Sequence, residues 1–138
     1  MTDKITTGDA LSSINVMVVD DEEIALRILS VILCKLGISN VVTARDGADA
    51  LEKLASSDAT IDIIISDIEM PRIDGYEFVR KVRLGAVPKY KEVPILILTG
   101  RDTDENLQKA RFHKIDGFIV KPPHARDLDR KIRQALGL

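Results

Sequence analysis

The chain has 138 residues, 45% of them hydrophobic and 30% charged, which suits one domain with a buried core rather than two. The formal net charge of −2, without a strongly basic block, argues against nucleic-acid binding through charge. The apolar stretches are too short to cross a bilayer, and residues 1–13 hold no apolar signal-peptide core, so a cytoplasmic location is predicted.

Short apolar runs alternate along the chain with segments of helical periodicity. The runs are bounded by turn or charged residues and predict buried strands. In chain order they are Asn15–Val19, Val41–Val42, Ile61–Ser66, Pro94–Leu98 and Gly117–Val120. Apolar residues at steps of three and four predict helices over residues 22–36, 48–55, 75–84, 103–114 and 128–136.

This alternation predicts the fold class. Continuous apolar strands joined by helices call for a parallel sheet covered on both faces, and right-handed crossovers make it a doubly wound α/β sandwich. Residues 1–13 are rich in Thr, Ser, Asp and Gly, which predicts a flexible N-terminal tail before a domain spanning residues 14–138. Cys34 is the one cysteine, so no internal disulfide can form, and no metal-site spacing surrounds it.

Polar and charged residues stand where the predicted strands end. Asp20 and Asp21 follow the first strand, Asp67 the third, Thr99 the fourth and Lys121 the fifth. Parallel strands place their carboxyl ends on one edge of the sheet, where ligands bind in open α/β folds. Each residue alone has a structural explanation, such as a helix cap or a surface charge. The full set at corresponding strand ends predicts one functional pocket.

The residue types predict the chemistry of that pocket. Three crowded carboxylates repel one another, and some take up protons unless a cation is present. Oxygen ligands suit Mg²⁺, which keeps coordination positions free for water and phosphate. Lys121 can pair with Asp67 and then grip a phosphoryl oxygen, while the Thr99 hydroxyl donates to a second oxygen. The set suits phosphoryl transfer to a carboxylate nucleophile.

The chain resembles the receiver domains of two-component response regulators, of the single-domain chemotaxis type. The matching motifs are Val18-Val19-Asp20-Asp21, Asp67 with Met70-Pro71-x-x-Asp74-Gly75, Leu98-Thr99, and Lys121-Pro122. Each motif is weak alone, but the ordered set is highly specific and covers nearly the whole chain. The resemblance implies a flavodoxin-like (βα)5 fold whose five-stranded parallel sheet has the order 2-1-3-4-5.

The resemblance also implies roles for individual residues. Asp67 would accept a phosphoryl group from a phosphohistidine on a sensor histidine kinase or a histidine phosphotransfer protein. Asp21, Asp67 and the backbone carbonyl of Glu69 would bind Mg²⁺, with Asp20 nearby through water.

Two further residues would contact the phosphoryl group, namely Thr99 and Lys121. Phe118, three residues before Lys121, occupies the family's switch-aromatic position. In such proteins the threonine hydroxyl moves toward the phosphate and the aromatic ring turns inward to fill the space. A permanently buried core phenylalanine is the alternative for Phe118.

Glu69 and Arg101 are expected at the mouth of the pocket, because each lies two positions beyond a pocket residue. We predict that they pair across it and slow the attack of water on the acyl phosphate. Replacing each with Ala should then change the phosphoryl lifetime more than severalfold. The alternative is two solvated charges, whose pairing would be worth only ~0–1 kcal/mol.

These observations predict a phosphorylation-dependent signalling module rather than an enzyme. The chain ends just after the fifth predicted helix, so the expected output is contact with a downstream protein through the fifth strand and the last two helices. A phosphate sink or a relay shuttle is the alternative, and neither nucleic acid nor a membrane is an expected partner. A haloacid-dehalogenase-like hydrolase needs a second Asp, which Asp67-Ile68-Glu69 lacks. A degenerate scaffold should have lost at least one pocket residue.

Overall fold

The computed structural model describes residues 11–56, 60–70, 73–100, 108 and 113–138. Its strands form one parallel sheet. The strands are β1 (Asn15–Val19), β2 (Asn40–Ala44), β3 (Ile63–Asp67), β4 (Ile95–Thr99) and β5 (Gly117–Val120). Their order in the sheet is β2-β1-β3-β4-β5, and every neighbouring pair is parallel. The predicted fold class and strand order are confirmed.

The helices with described bounds connect or follow these strands. They are α1 (Glu23–Lys35), α2 (Gly47–Ser56), α3 (Gly75–Arg83) and α4 (Ala125–Leu136), with a short 3-10 helix at Pro88–Tyr90. The helix predicted over residues 103–114 lies outside the described residues, except for Gln108 and His113, which are helical, and Lys114, which lies in a turn. None of the helices in the described ranges is long and apolar enough to span a bilayer.

Strand β3 differs from its predicted range by starting later and ending later. Ile61 lies before the strand, and its backbone N–H donates to the Tyr90 hydroxyl at 3.1 Å. Asp67 is itself the last strand residue and lies opposite Leu98 of β4. The apolar run therefore predicted the position of the strand well, but the pairing with β4 continues through Asp67 at the carboxyl end of the strand.

The core has two layers, one on each face of the sheet. Side chains alternate along a strand, so Met17 and Val19 point to one face while Val16 and Val18 point to the other. Helices α2 and α3 cover the first face, and α1 and α4 cover the second. Burial on both faces explains why the strands are continuously apolar.

Leu11 lies within the range that the sequence predicted to be a flexible tail. Its side chain is 1% exposed and packs in the second of the two core layers. Burial of an apolar side chain of this size stabilises the folded state, and this holds the neighbouring backbone in place. Ser12 and Ser13 follow Leu11 and are exposed, and residues 1–10 of the predicted tail lie outside the described residues.

Candidate functional site

An open, mostly polar cleft lies at the carboxyl edge of the sheet. The residues lining it are Asp21, Glu22, Asp67, Ile68, Glu69, Met70, Asp74 and Lys121. Asp20 and Thr99 lie at the ends of their strands on the same edge and are buried, with 2% and 4% of their surface exposed. The structure therefore brings the predicted pocket residues to one edge, except Arg101, which lies outside the described residues.

Asp67 and Lys121 form an ion pair at the centre of this cleft. Lys121 Nζ lies 2.6 Å from Asp67 Oδ1, and the two side chains are 38% and 6% exposed. Burial alone would lower the pKa of Lys121, but its hydrogen bond to Asp67 and the charges of Asp67, Asp20 and Glu22 outweigh burial and raise it. Lys121 is therefore a fixed positive charge beside the Asp67 carboxylate at neutral pH.

A group of acids adjoins this pair at the turn between β1 and α1. Carboxylate oxygens of Asp20, Asp21 and Glu22 lie within 4.8 Å of one another. Burial raises the pKa of Asp20, and the charges of Asp67 and Asp21 add to the rise against the opposing effects of the Glu22 N–H and Lys121. The Glu22 N–H donates to Asp20 Oδ1 at 3.0 Å and fixes that carboxylate.

This acidic group fits a hard divalent cation. Its donors are carboxylate oxygens, the ligand type that Mg²⁺ prefers. The negative charges of these acids and of Asp67 outnumber the single positive charge of the neighbouring Lys121. Glu22 was absent from the set predicted from the sequence, where it marked only the start of a helix. The signal that could have found it is its place directly after Asp20-Asp21 at a strand-to-helix turn.

The start of α3 holds the loop that follows Asp67. The Gly75 N–H donates to the Ile68 carbonyl at 2.7 Å, and the Asp74 side chain caps the helix by accepting from the Glu77 N–H at 2.8 Å. A Cβ on Gly75 would overlap the Asp67 carbonyl oxygen and lie 2.8 Å from Ile68 Cα. The Asp74-Gly75 pair therefore lets α3 begin in backbone contact with the phosphoacceptor candidate.

Strands β4 and β5 position the remaining residues. The Lys121 N–H donates to the Thr99 carbonyl at 2.8 Å, so the two strand ends are tied together, and the Lys121–Pro122 peptide bond is cis. Phe118 lies opposite Ile97 and is 7% exposed, within the core layer that α2 and α3 cover. Glu69 is exposed and is one of the residues that line the cleft.

Comparison with known proteins identifies the family. The pattern of the response regulator receiver domain family matches residues 16–133. The chain belongs to this family. The resemblance inferred from the motifs is thereby confirmed, and the chain is a receiver of the CheY type, a module of two-component signalling.

Similar proteins cover nearly the whole of this receiver. The chemotaxis protein CheY1 of Helicobacter pylori is 34% identical over 121 residues, which are 88% of this chain and 95% of CheY1. The structure of chemotaxis protein CheY4 of Vibrio cholerae has a TM-score of 0.79 and 36% identity, over 89% of this chain and 98% of CheY4. The receiver domain of the histidine kinase CKI1 of Arabidopsis thaliana, complexed with Mg²⁺ and BeF3⁻, has a TM-score of 0.77 and 28% identity, over 96% of each chain.

Proposed function

We propose that this receiver takes a phosphoryl group onto Asp67 from a phosphohistidine of a sensor histidine kinase or a histidine phosphotransfer protein. The observation that carries the proposal is the surroundings of Asp67. Its carboxylate is 6% exposed, faces an open cleft and is held 2.6 Å from the Lys121 ammonium. A carboxylate that is held in place and can be reached from a cleft is what a nucleophile for phosphoryl transfer requires.

Mg²⁺ is the proposed cofactor, held by Asp21, Asp67 and the backbone carbonyl of Glu69, with Asp20 acting through water. The carboxylates of Asp20, Asp21 and Glu22, which lie within 4.8 Å of one another, support a cation at this edge of the sheet, and so does the similar receiver that was crystallised with Mg²⁺. When bound, the ion would neutralise charge on the acids and on the incoming phosphoryl oxygens. Among the described residues that line the cleft, the acids outnumber the one lysine, Lys121. A bound cation would therefore neutralise negative charge that Lys121 leaves unbalanced.

The side chains of this chain supply the rest of the proposed transfer. An Asp67 oxygen forms the new bond to phosphorus while the bond from phosphorus to the donor imidazole nitrogen breaks, and that nitrogen keeps the electron pair. Lys121 exchanges its contact with Asp67 for one with a phosphoryl oxygen. The Thr99 hydroxyl donates to another phosphoryl oxygen, which draws the end of β4 toward the phosphate.

The proposed output is protein–protein contact controlled by this movement. Phe118, already in the core, would pack into the space that Thr99 leaves, and a target protein would read β5 and the last two helices, in the cytoplasm. Glu69 and Arg101 would set how long the phosphoryl group lasts by shielding it from water. The receiver assists its own phosphorylation and dephosphorylation and turns over no separate substrate.

Labelling with a small phosphodonor tests the proposal. The purified protein is mixed with Mg²⁺ and acetyl phosphate or phosphoramidate, and intact mass is measured. One added phosphoryl group is expected, lost when Mg²⁺ is chelated and absent in Asp67→Asn. The matched control is Asp74→Asn, which changes another acid of the same cleft and keeps a side chain that caps α3, so it should still be labelled.

Two other outcomes would contradict the proposal. Continuous release of phosphate from phosphate esters, without a stable labelled protein, would point to a hydrolase. A wild-type protein that takes no phosphoryl group from either donor would point to a scaffold that has kept the fold without the reaction.

A further inference from the structure

Lys131 of α4 reaches the backbone of the fifth strand. Its Nζ donates to the Phe118 carbonyl at 2.7 Å, and the residue is half-buried. Gly117 adjoins the lysine, since a Cβ built on Gly117 would lie 3.8 Å from Lys131 Cδ. The methylene part of the lysine therefore lies beside β5 at Gly117, and its ammonium is held at the carbonyl of the next residue.

The Phe118 carbonyl lies on the outer edge of the sheet. Strand β5 is the last in the order β2-β1-β3-β4-β5, so no strand of the described ranges pairs with its outer side. The Lys121 N–H, three residues later, donates to β4 at Thr99, and backbone groups alternate sides along a strand. The Phe118 carbonyl therefore points away from β4, and Lys131 supplies the donor that a further strand would otherwise provide.

This hydrogen bond links two faces of the sheet that side-chain packing keeps apart. Phe118 points into the core layer that α2 and α3 cover, on the opposite face from α4. The strand residue that packs on the side of α4 is Ile119, in the core layer of Leu128 and Ile132. The sheet therefore separates the Phe118 ring from α4, whereas a movement of the Phe118 backbone displaces the acceptor that Lys131 contacts.

We propose that Lys131 is a positioning residue that couples α4 to the backbone of Phe118. Phosphorylation of Asp67 draws in the end of β4, and β5 follows because Lys121 is bonded to Thr99. Lys131 carries that displacement to α4, even when the Phe118 ring keeps its place in the core. The coupling rests on the proposed phosphorylation of Asp67, whereas the effect of the hydrogen bond on Phe118 can be tested in the unphosphorylated chain.

A fluorine probe on α4 tests the coupling. Gln134 is exposed on this helix and Cys34 is the one cysteine, so Gln134→Cys in a Cys34→Ser background carries a trifluoromethyl tag at a single place. Its fluorine resonance is recorded before and after saturation with Mg²⁺ and phosphoramidate, and labelling of Asp67 is measured by intact mass. We expect phosphorylation to shift the resonance, and Lys131→Met to reduce that shift by about twofold or more at equal labelling.

Two control variants separate the hydrogen bond from other effects of the substitution. Lys131→Arg keeps a donor of similar reach and should retain most of the shift. Arg130→Met removes the neighbouring cation, but the Arg130 side chain is 71% exposed and pairs with Asp127 of the same helix, so the full shift is expected. Urea unfolding checks that each variant folds. Should Lys131→Met not fold, Lys131→Gln replaces it, because its amide is too short to reach the Phe118 carbonyl.

The unphosphorylated chain gives an independent test through 4-fluorophenylalanine. The chain has three phenylalanines, and Phe118→Leu and Phe78→Leu identify two of the fluorine resonances. Loss of the hydrogen bond in Lys131→Met should shift or broaden the resonance of Phe118. The resonance of Phe78, which is fully buried in the core, should stay in place.

Several results would overturn the coupling. One is a Phe118 resonance that Lys131→Met leaves unchanged, and another is a full shift of the α4 probe in that variant. A wild-type probe that does not respond when Asp67 is labelled would also contradict it. A Lys131→Met chain that is no longer labelled would mean that the lysine supports Lys121 at the cleft rather than α4. A wild-type chain that takes no phosphoryl group would refute the proposed phosphorylation, and the coupling with it.

Discussion

The two edges of the sheet surround their acidic side chains in opposite ways. At the amino edge, Asp116 Oδ2 accepts from the Ile95 N–H at 2.7 Å and lies 3.3 Å from the Arg83 guanidinium. At the carboxyl edge, Asp20 and Asp67 are far more deeply buried, with 2% and 4% of their surface exposed, and they repel each other beside Lys121. One edge matches each acid with donors, and the other gathers more acids than the neighbouring cation can neutralise.

The contrast indicates how a stabilising polar cluster differs from the proposed phosphorylation site in the same fold. Every buried side-chain nitrogen or oxygen in the described part of the chain has a hydrogen-bond partner, so neither edge is poorly packed. Hydrogen bonds therefore do not distinguish the edges, but charge does. Unbalanced negative charge lowers the stability of the fold unless a cation binds beside it. Such a cluster is typical of a ligand-binding site.

The largest expected effect is at the carboxyl edge, from Gly75→Ala. The new methyl group would overlap the Asp67 carbonyl oxygen and lie 2.8 Å from Ile68 Cα, and both obstacles are backbone that cannot rotate away. We expect the free energy of unfolding to fall by about 3 kcal/mol in urea denaturation.

Gly100→Ala is the matched control for this overlap. A Cβ on Gly100 would find nothing within 4 Å, and its φ lies outside the left-handed region that favours glycine. Stability should change by about 0.5 kcal/mol or less in either direction. Equal losses for the two variants would show that the close approach of α3 to β3 is not what makes Gly75 necessary.

A smaller loss is expected at the amino edge, from Arg83→Gln. The guanidinium donates to the carbonyls of Lys91 and Lys114 as well as meeting Asp116, and its side chain is 13% exposed. Removing it leaves a carboxylate and two carbonyls with fewer donors, which should cost about 2 kcal/mol of unfolding free energy. Arg27→Gln, at an ion pair with side chains 75% and 67% exposed, should cost about 0–0.5 kcal/mol. A similar cost for both would contradict the view that the amino edge is held by charge matching.

The sequence was sufficient to predict the fold and most of the residues at the carboxyl edge of the sheet. Buried parallel strands are continuously apolar, so β1, β3 and β4 were visible as runs, and the residues ending them had to meet on one edge. Sequence order alone cannot show a contact between distant segments. The Arg83 guanidinium donates to the Lys114 carbonyl, 31 residues away, and no pattern along the chain predicts this hydrogen bond.

Smaller differences have local causes. Edge strand β2 runs over Asn40–Ala44, longer than its two apolar residues suggested, because backbone pairing with β1 does not require apolar side chains. Glu22 entered the cleft because the turn after β1 directs consecutive acids to one side. The roles of Phe118 and Glu69 stay predictions, since they concern movement and lifetime.

A change smaller than that of Arg83→Gln is expected from Asp20→Asn, and it should be a gain in stability. Burial raises the pKa of Asp20 above its ordinary value of 3.8, so above that pH the unfolded chain loses its proton first and stability falls as pH rises. Asparagine keeps an oxygen for the Glu22 N–H without the charge. Without Mg²⁺, the variant should therefore be more stable than wild type by about 1 kcal/mol at neutral pH. The difference should shrink as the pH is lowered toward 3.8.

Adding Mg²⁺ should reverse that order, because the charge that destabilises the empty edge is the charge that binds the ion. At a concentration about 100 times its dissociation constant, an ion that binds only the folded state stabilises it by about 2.7 kcal/mol. Asp20→Asn should bind more weakly and gain less, so the two urea curves should exchange places between chelated and Mg²⁺-saturated samples. Parallel shifts of the two proteins would mean that Asp20 takes no part in holding the ion, and that the contrast between the two edges is one of burial rather than of charge.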